Sequence, residues 1–143
     1  MLRDVHPTRV HLTDGVVKLN LIGMPYNFKK LIKDVTYTGH LNYTAPELLR
    51  HKTGTKVIPA IDIWSLGCCF YALATKADPF TFQNLQSDSA TIKKNIMECK
   101  IDVEGFLLQK EEDSPEQELL KEIMKRLLDA CLQKTAKARP TAT

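Results

Sequence analysis

The chain has 143 residues, 43% of them hydrophobic and 26% charged, the balance of a soluble globular domain or of one lobe of a larger one, and not of a disordered tract. Its formal net charge of +3 comes from Lys and Arg spread along the sequence, without the basic run that marks a nucleic-acid-binding face. The opening MLRDVHPTRV lacks the unbroken apolar stretch of a signal peptide, and no window reaches the ~18 apolar residues of a membrane span. These features argue against nucleic acid and membrane as partners and point to a cytoplasmic chain, with the nucleus also open to it.

The first predicted element is a hairpin. Val10 and Leu12 precede Asp14-Gly15, and Val17 and Leu19 follow it, the pattern of two short strands joined by a two-residue turn. From Gly23 to Tyr43 the sequence is irregular and polar, which predicts a long surface segment. Ala45-Pro46-Glu47 opens a short helix, and a polar loop, RHKTGTKVIP, closes at Pro59.

Between Ala60 and Thr75, AIDIWSLGCCFYALAT is apolar on every helical face except at Asp62 and Ser65, which predicts a central helix surrounded by protein. Residues 89 to 99 read as a shorter amphipathic helix, followed by an acidic connection through EEDSPE. Ser114, Pro115 and Gln117 then supply a capping box. Leu119, Leu120, Ile123, Met124, Leu127, Leu128 and Cys131 follow at helical spacing, in a helix expected to end near Gln133. Cys68, Cys69, Cys99 and Cys131 form no C-x-x-C pair, and the first two sit in an apolar run where thiols pack as small hydrophobes. A reducing compartment fits that usage.

The fold class is therefore mainly α: a small β-hairpin followed by a helical bundle around a buried central helix. In their order and spacing, Ala45-Pro46-Glu47, Asp62-Ile63-Trp64-Ser65-Leu66-Gly67, Pro79-Phe80 and Arg139-Pro140 resemble the C-terminal lobe of eukaryotic protein kinases, of serine/threonine type, from end to end of the chain. The resemblance implies a buried ion pair between Glu47 and Arg139, and implies that Asp62 accepts hydrogen bonds from the backbone of the catalytic loop near Leu2 to Asp4. It makes Trp64 and Gly67 structural signature positions as well. Counterparts of the family's Gly-rich loop, β3 lysine and partner glutamate helix are not found, so the expectation is a partial kinase-like domain over residues 1 to 143, without the nucleotide-clamping lobe.

The same resemblance exposes several departures. The family's catalytic loop reads H-R-D-L-K-P-x-N, and this chain offers Leu2-Arg3-Asp4-Val5-His6-Pro7-Thr8-Arg9. Asp4 stands as a vestigial proton acceptor, His6 replaces the phosphate-neutralising lysine, and Arg9 replaces the metal-binding asparagine. Leu21-Ile22-Gly23 stands where the family has D-F-G. Mg²⁺ takes oxygen ligands, and a leucine side chain has none. Asn20 does carry an oxygen, but alternation along a strand points it away from the face that Leu21 takes. His40 stands where the family has the threonine that helps fix the catalytic aspartate and the lysine.

Two roles are open to Arg9: it grips a nucleotide phosphate directly through its planar fork, or it lies at the surface or pairs with a nearby acid. The resulting expectation is a degenerate site with no metal and no cofactor, in a pseudokinase that acts as a protein-binding or regulatory scaffold. That module would present residues 89 to 99, residues 50 to 58 or the activation-like segment to a protein partner. Thr36, Tyr37 and Thr38, beside Lys29, Lys30 and Lys33, are candidate phosphorylation targets, against the simpler reading of generic exposed hydroxyls. The alternative is a serine/threonine kinase that uses ATP and Mg²⁺, of which this chain is a fragment. An open apolar surface that includes Val5, Val10 and Leu21 is expected to favour association.

Overall fold

The computed structural model describes residues 2, 4–20, 40–50, 58–81, 88–101 and 114–141. Within them lie two strands, β1 (Val10–Thr13) and β2 (Val16–Leu19), and four α-helices: α1 (Pro46–Leu49), α2 (Ala60–Thr75), α3 (Ser89–Glu98) and α4 (Pro115–Cys131). Short 3-10 turns cover Pro7–Arg9, Leu41–Tyr43 and Ala136–Ala138. Among the described residues the regular structure is mostly helical, with one small antiparallel sheet, the organisation of a protein-kinase-like C-lobe.

The hairpin forms where the turn chemistry puts it. Asp14 and Gly15 both take positive φ, 52° and 75°, which gives the tight turn whose twist matches two antiparallel strands. The register pairs Val10 with Leu19 and Thr13 with Val16. Leu12 and Val17 are 73% and 69% exposed, so this hairpin projects from the body and is not part of its core. Val5, by contrast, is buried in the main apolar cluster, which corrects the expectation of an open surface there: the loop turns Val5 inward against the neighbours of α2.

Helix α2 carries the core. Ile61, Trp64, Ser65, Gly67, Cys68, Cys69 and Tyr71 are buried along it, and the cluster extends to Tyr43, Ala45, Phe80 and Ile96. The expectation of burial on every face fails at its last turn, where Leu73 is exposed. The helix stops at Lys76, whose left-handed φ of 55° lets its N–H close on the Ala72 carbonyl, the conformation that ends many helices.

The α4 helix meets α2 at Gly67. A Cβ built there would lie 2.7 Å from the Cys131 Cβ and 3.0 Å from Leu132 Cδ2, so the two helices approach closely because this position has no side chain. Ser114 accepts from the Gln117 N–H while Gln117 reaches back to the Ser114 N–H, the reciprocal cap foreseen from Ser-Pro-x-Gln. Only the second half of α4 packs: Leu128 and Cys131 are buried, whereas Leu119, Leu120 and Ile123 are exposed among the described residues. At α3, the Asp88 carboxylate caps the helix through the Thr91 N–H at 2.8 Å, and the Thr91 side chain together with that N–H holds the carboxyl below the usual carboxylate range.

Candidate functional site

Asp4 and Arg9, five positions apart, are brought together by the 3-10 turn at Pro7–Arg9. Proline at the first position of that turn fixes its φ, and the turn closes through the Arg9 N–H on the His6 carbonyl at 2.9 Å. The Arg9 guanidinium then folds back. Its Nε donates to Asp4 Oδ2 at 2.7 Å, and its Nη2 lies against the same oxygen. Asp4 and Arg9 side chains are 22% and 28% exposed, so the pair sits at the rim of the fold.

The loop is also tied from below. The Leu2 N–H donates to Asp62 Oδ2 at 2.6 Å, which links the chain just ahead of Asp4 to the first turn of α2. A carboxylate in an otherwise apolar helix needs such donors.

His6 and His40 come from segments far apart in sequence, yet their imidazoles stack, with centroids 3.8 Å apart and planes 17° from parallel. Tyr43 meets His6 edge-on at 4.4 Å. The Tyr43 hydroxyl donates to Asp78 Oδ1 at 2.7 Å, and Asn42 donates to Oδ2 of the same residue. Burial and the Asp78 carboxylate push the Tyr43 hydroxyl well above the ordinary phenol range. Burial, then the neighbouring His40 ring, lowers the pKa of His6 from 6.5, against smaller opposing effects of Asp78 and Asp4.

Of the remaining signature positions, Glu47 and Trp64 gather around Arg139. Arg139 makes a two-pronged pair with Glu47, Nη1 to Oε1 at 2.7 Å and Nη2 to Oε2 at 2.8 Å. It also donates to the Ala60 and Gln133 carbonyls. The Trp64 ring, fully buried, lies parallel to Phe80 at 5.7 Å, with the Arg139 guanidinium 5.0 Å and the Lys134 ammonium 5.1 Å from its centre. Lys134 donates to the Ile96 carbonyl at the end of α3 as well, and burial lowers its pKa. Sequence reasoning missed Lys134, which no motif marks, and it missed the contact between His6 and His40. Its one available hint was that both positions depart from the family pattern.

Leu21, together with Ile22, Gly23 and the hydroxyl-rich run Thr36 to Thr38, lies outside the described residues. At the loop itself, the position five residues after Asp4 presents a guanidinium and no oxygen. Among the described residues, no group of three or more His, Cys, Asp or Glu side chains is placed to hold a metal ion. A guanidinium is no ligand for a divalent cation, which takes oxygen donors.

The protein kinase domain family matches residues 1–143. The chain belongs to the protein kinase family. It is 34% identical over 100 residues to human ribosomal protein S6 kinase alpha-4, an alignment that covers 68% of this chain and 13% of that protein. With the human SNF-related serine/threonine-protein kinase it shares 38% identity over 104 residues, 71% of this chain and 13% of the relative. The mouse dual specificity protein kinase TTK is 34% identical over 89 residues, 54% of this chain and 10% of that protein. The chain thus spans only about an eighth of the length of the first two relatives.

Proposed function

We propose that this kinase-family chain is a catalytically inactive C-lobe, a pseudokinase module that works by binding another protein. The observation that carries this reading is the contact between Arg9 and Asp4. A carboxylate serving as proton acceptor needs a free lone pair aimed at the substrate hydroxyl. Here Oδ2 of that carboxylate takes two guanidinium contacts from Arg9. A permanent cation at Arg9 also repels the divalent ion that the family binds near this place, and Leu21 adds no oxygen to offset it. Direct capture of a nucleotide phosphate by Arg9 would require the guanidinium to leave Asp4, so the paired role is the better supported of the two open to it.

The surface offered to a protein partner is the exposed face of α3, with Lys93 and Lys94 outward and Ile96 turned into the core. Signalling in the cytoplasm or nucleus is the setting that suits such a module. The chain would need no cofactor for it.

One observation favours the rival reading, a serine/threonine kinase of which these residues are part: the bond from the Leu2 N–H to Asp62 at 2.6 Å holds the loop as a working catalytic loop needs to be held. A single pair of measurements separates the two. Melting followed with ATP, with and without Mg²⁺, should show no metal-dependent stabilisation, and phosphate transfer to a generic protein substrate should be absent. Replacing Arg9 by Asn and Leu21 by Asp together should create the metal-dependent shift. A Mg²⁺-dependent shift in the native chain, with transfer abolished by Asp4→Asn, would establish the kinase reading instead.

A further inference from the structure

The stacked imidazoles of His6 and His40 join two stretches of chain that flank the kinase-like site. His6 belongs to the turn ahead of Arg9, and His40 begins the turn Leu41–Tyr43 that leads into α1. His6 has a second task. Its Nδ1 accepts the Thr8 N–H at 3.3 Å and lies 3.0 Å from Thr8 Oγ1, so the ring caps the Pro7–Arg9 turn from its N-terminal end. An accepting Nδ1 requires a neutral ring with its proton on Nε2.

We propose that the His6–His40 stack is a proton-operated clasp that ties the Arg9 turn to the segment entering α1, closed while the His6 ring is neutral and opened as it takes up a proton. The chemistry follows from the geometry. A proton on His6 Nδ1 turns that atom from acceptor to donor, and the Thr8 N–H loses its cap. The new charge on His6 also lies with its ring stacked 3.8 Å from His40, a contact that opposes its protonation. Among the described residues, the charged groups that act on His6 pull both ways. His40 and Arg9 oppose its protonation, and Asp78 and Asp4 favour it, but those carboxylates are engaged by Tyr43 and Asn42 and by Arg9. The Tyr43 ring adds an edge-on contact at 4.4 Å.

The sign of the pH response is fixed by His6 being harder to protonate in the folded chain than in the unfolded one. Its contribution to stability is complete above the ordinary imidazole value of 6.5 and is lost as the pH falls from there through the lower folded value, because the unfolded chain binds the proton first. At the end of the turn this clasp steadies is Arg9, so its opening also loosens the guanidinium from Asp4. The inference stands whether the lobe is inactive or catalytic, since neither the stack nor the cap depends on phosphoryl transfer.

The experiment follows the histidine ring and backbone amide resonances of the full 143-residue chain by NMR between pH 5 and 8. His6 should titrate below 6.5, and the Thr8 amide resonance should move with the same midpoint. His40→Phe keeps an aromatic face on His6 and removes the neighbour that opposes its protonation, so the His6 midpoint should rise in that variant. His40→Asn, smaller and uncharged, should raise it too and serves if the phenylalanine variant misfolds. In His6→Phe the Thr8 amide should no longer respond in this window. A His6 midpoint at or above 6.5, a midpoint indifferent to both His40 substitutions, or a Thr8 amide that titrates without His6 would overturn the clasp.

Discussion

Two arginines grip two carboxylates in this fold, and they do so differently. Arg139 reaches Glu47 across the whole chain with two parallel bonds to two oxygens, its side chain fully buried and two further donors taken by the Ala60 and Gln133 carbonyls. Arg9 reaches Asp4 within one turn, through two nitrogens that converge on a single oxygen at the rim. The first arrangement closes the fold, holding the chain after α4 against α1 and the start of α2. The second sits where chemistry would occur and orders only a short loop. Equal chemistry thus has unequal consequences, set by burial and by how much chain each pair closes.

The comparison breaks most sharply at Arg139. Arg139→Met keeps much of the side-chain volume and removes the charge, the two bonds to Glu47, two bonds to carbonyls and the contact with the Trp64 face. Glu47 is 28% exposed and can still reach water, so the loss lies in the bonds of the fully buried guanidinium, at about 1.5–3 kcal/mol for each bond to a charged group that goes unreplaced, and the midpoint of urea unfolding should fall steeply or the native baseline disappear. A loss below ~1 kcal/mol would mean that the pair does not close the fold. Next in size is Gly67→Ala, in the same region. The new methyl would meet the Cys131 Cβ at 2.7 Å, and overpacking of this kind costs about 1–3 kcal/mol. An alanine variant that melts at the native temperature would show that α2 and α4 are free to separate.

The large features of this fold were legible because they rest on local chemistry. Asp14-Gly15 set the hairpin, Ser114-Pro115 with Gln117 set the start of α4, and the apolar run from Ala60 to Thr75 set α2 to the residue. What the sequence could not show was which side of an element finds a partner. Leu119 and Leu120 have the same spacing credentials as Leu128, yet only Leu128 is covered, since burial depends on what α2 reaches and α2 meets α4 at its C-terminal end. The site divided along the same line. Asp4 could be named from its match to a known pattern and His6, Arg9 and His40 from their departures from it, whereas the stacking of His6 on His40 is a three-dimensional coincidence of two distant turns. Nor does any local rule direct Lys134 onto the Trp64 and Phe80 rings.

The smallest effect expected from the comparison is the most telling about function. Arg9→Ala removes a pair at the rim whose partner can turn to water, and such pairs contribute ~1 kcal/mol or less, so the unfolding midpoint should scarcely move. The loop should nonetheless change. With the guanidinium gone, Asp4 Oδ2 loses both of its Arg9 contacts while the Leu2 N–H still holds the loop to Asp62, and amide exchange at Pro7–Arg9 should speed up without a matching loss of global stability. A large global loss would place Arg9 with Arg139 among the residues that hold the fold. Its position across from the family's proton acceptor would then have a structural cause, and the case for a silenced site would have to rest on Leu21 alone.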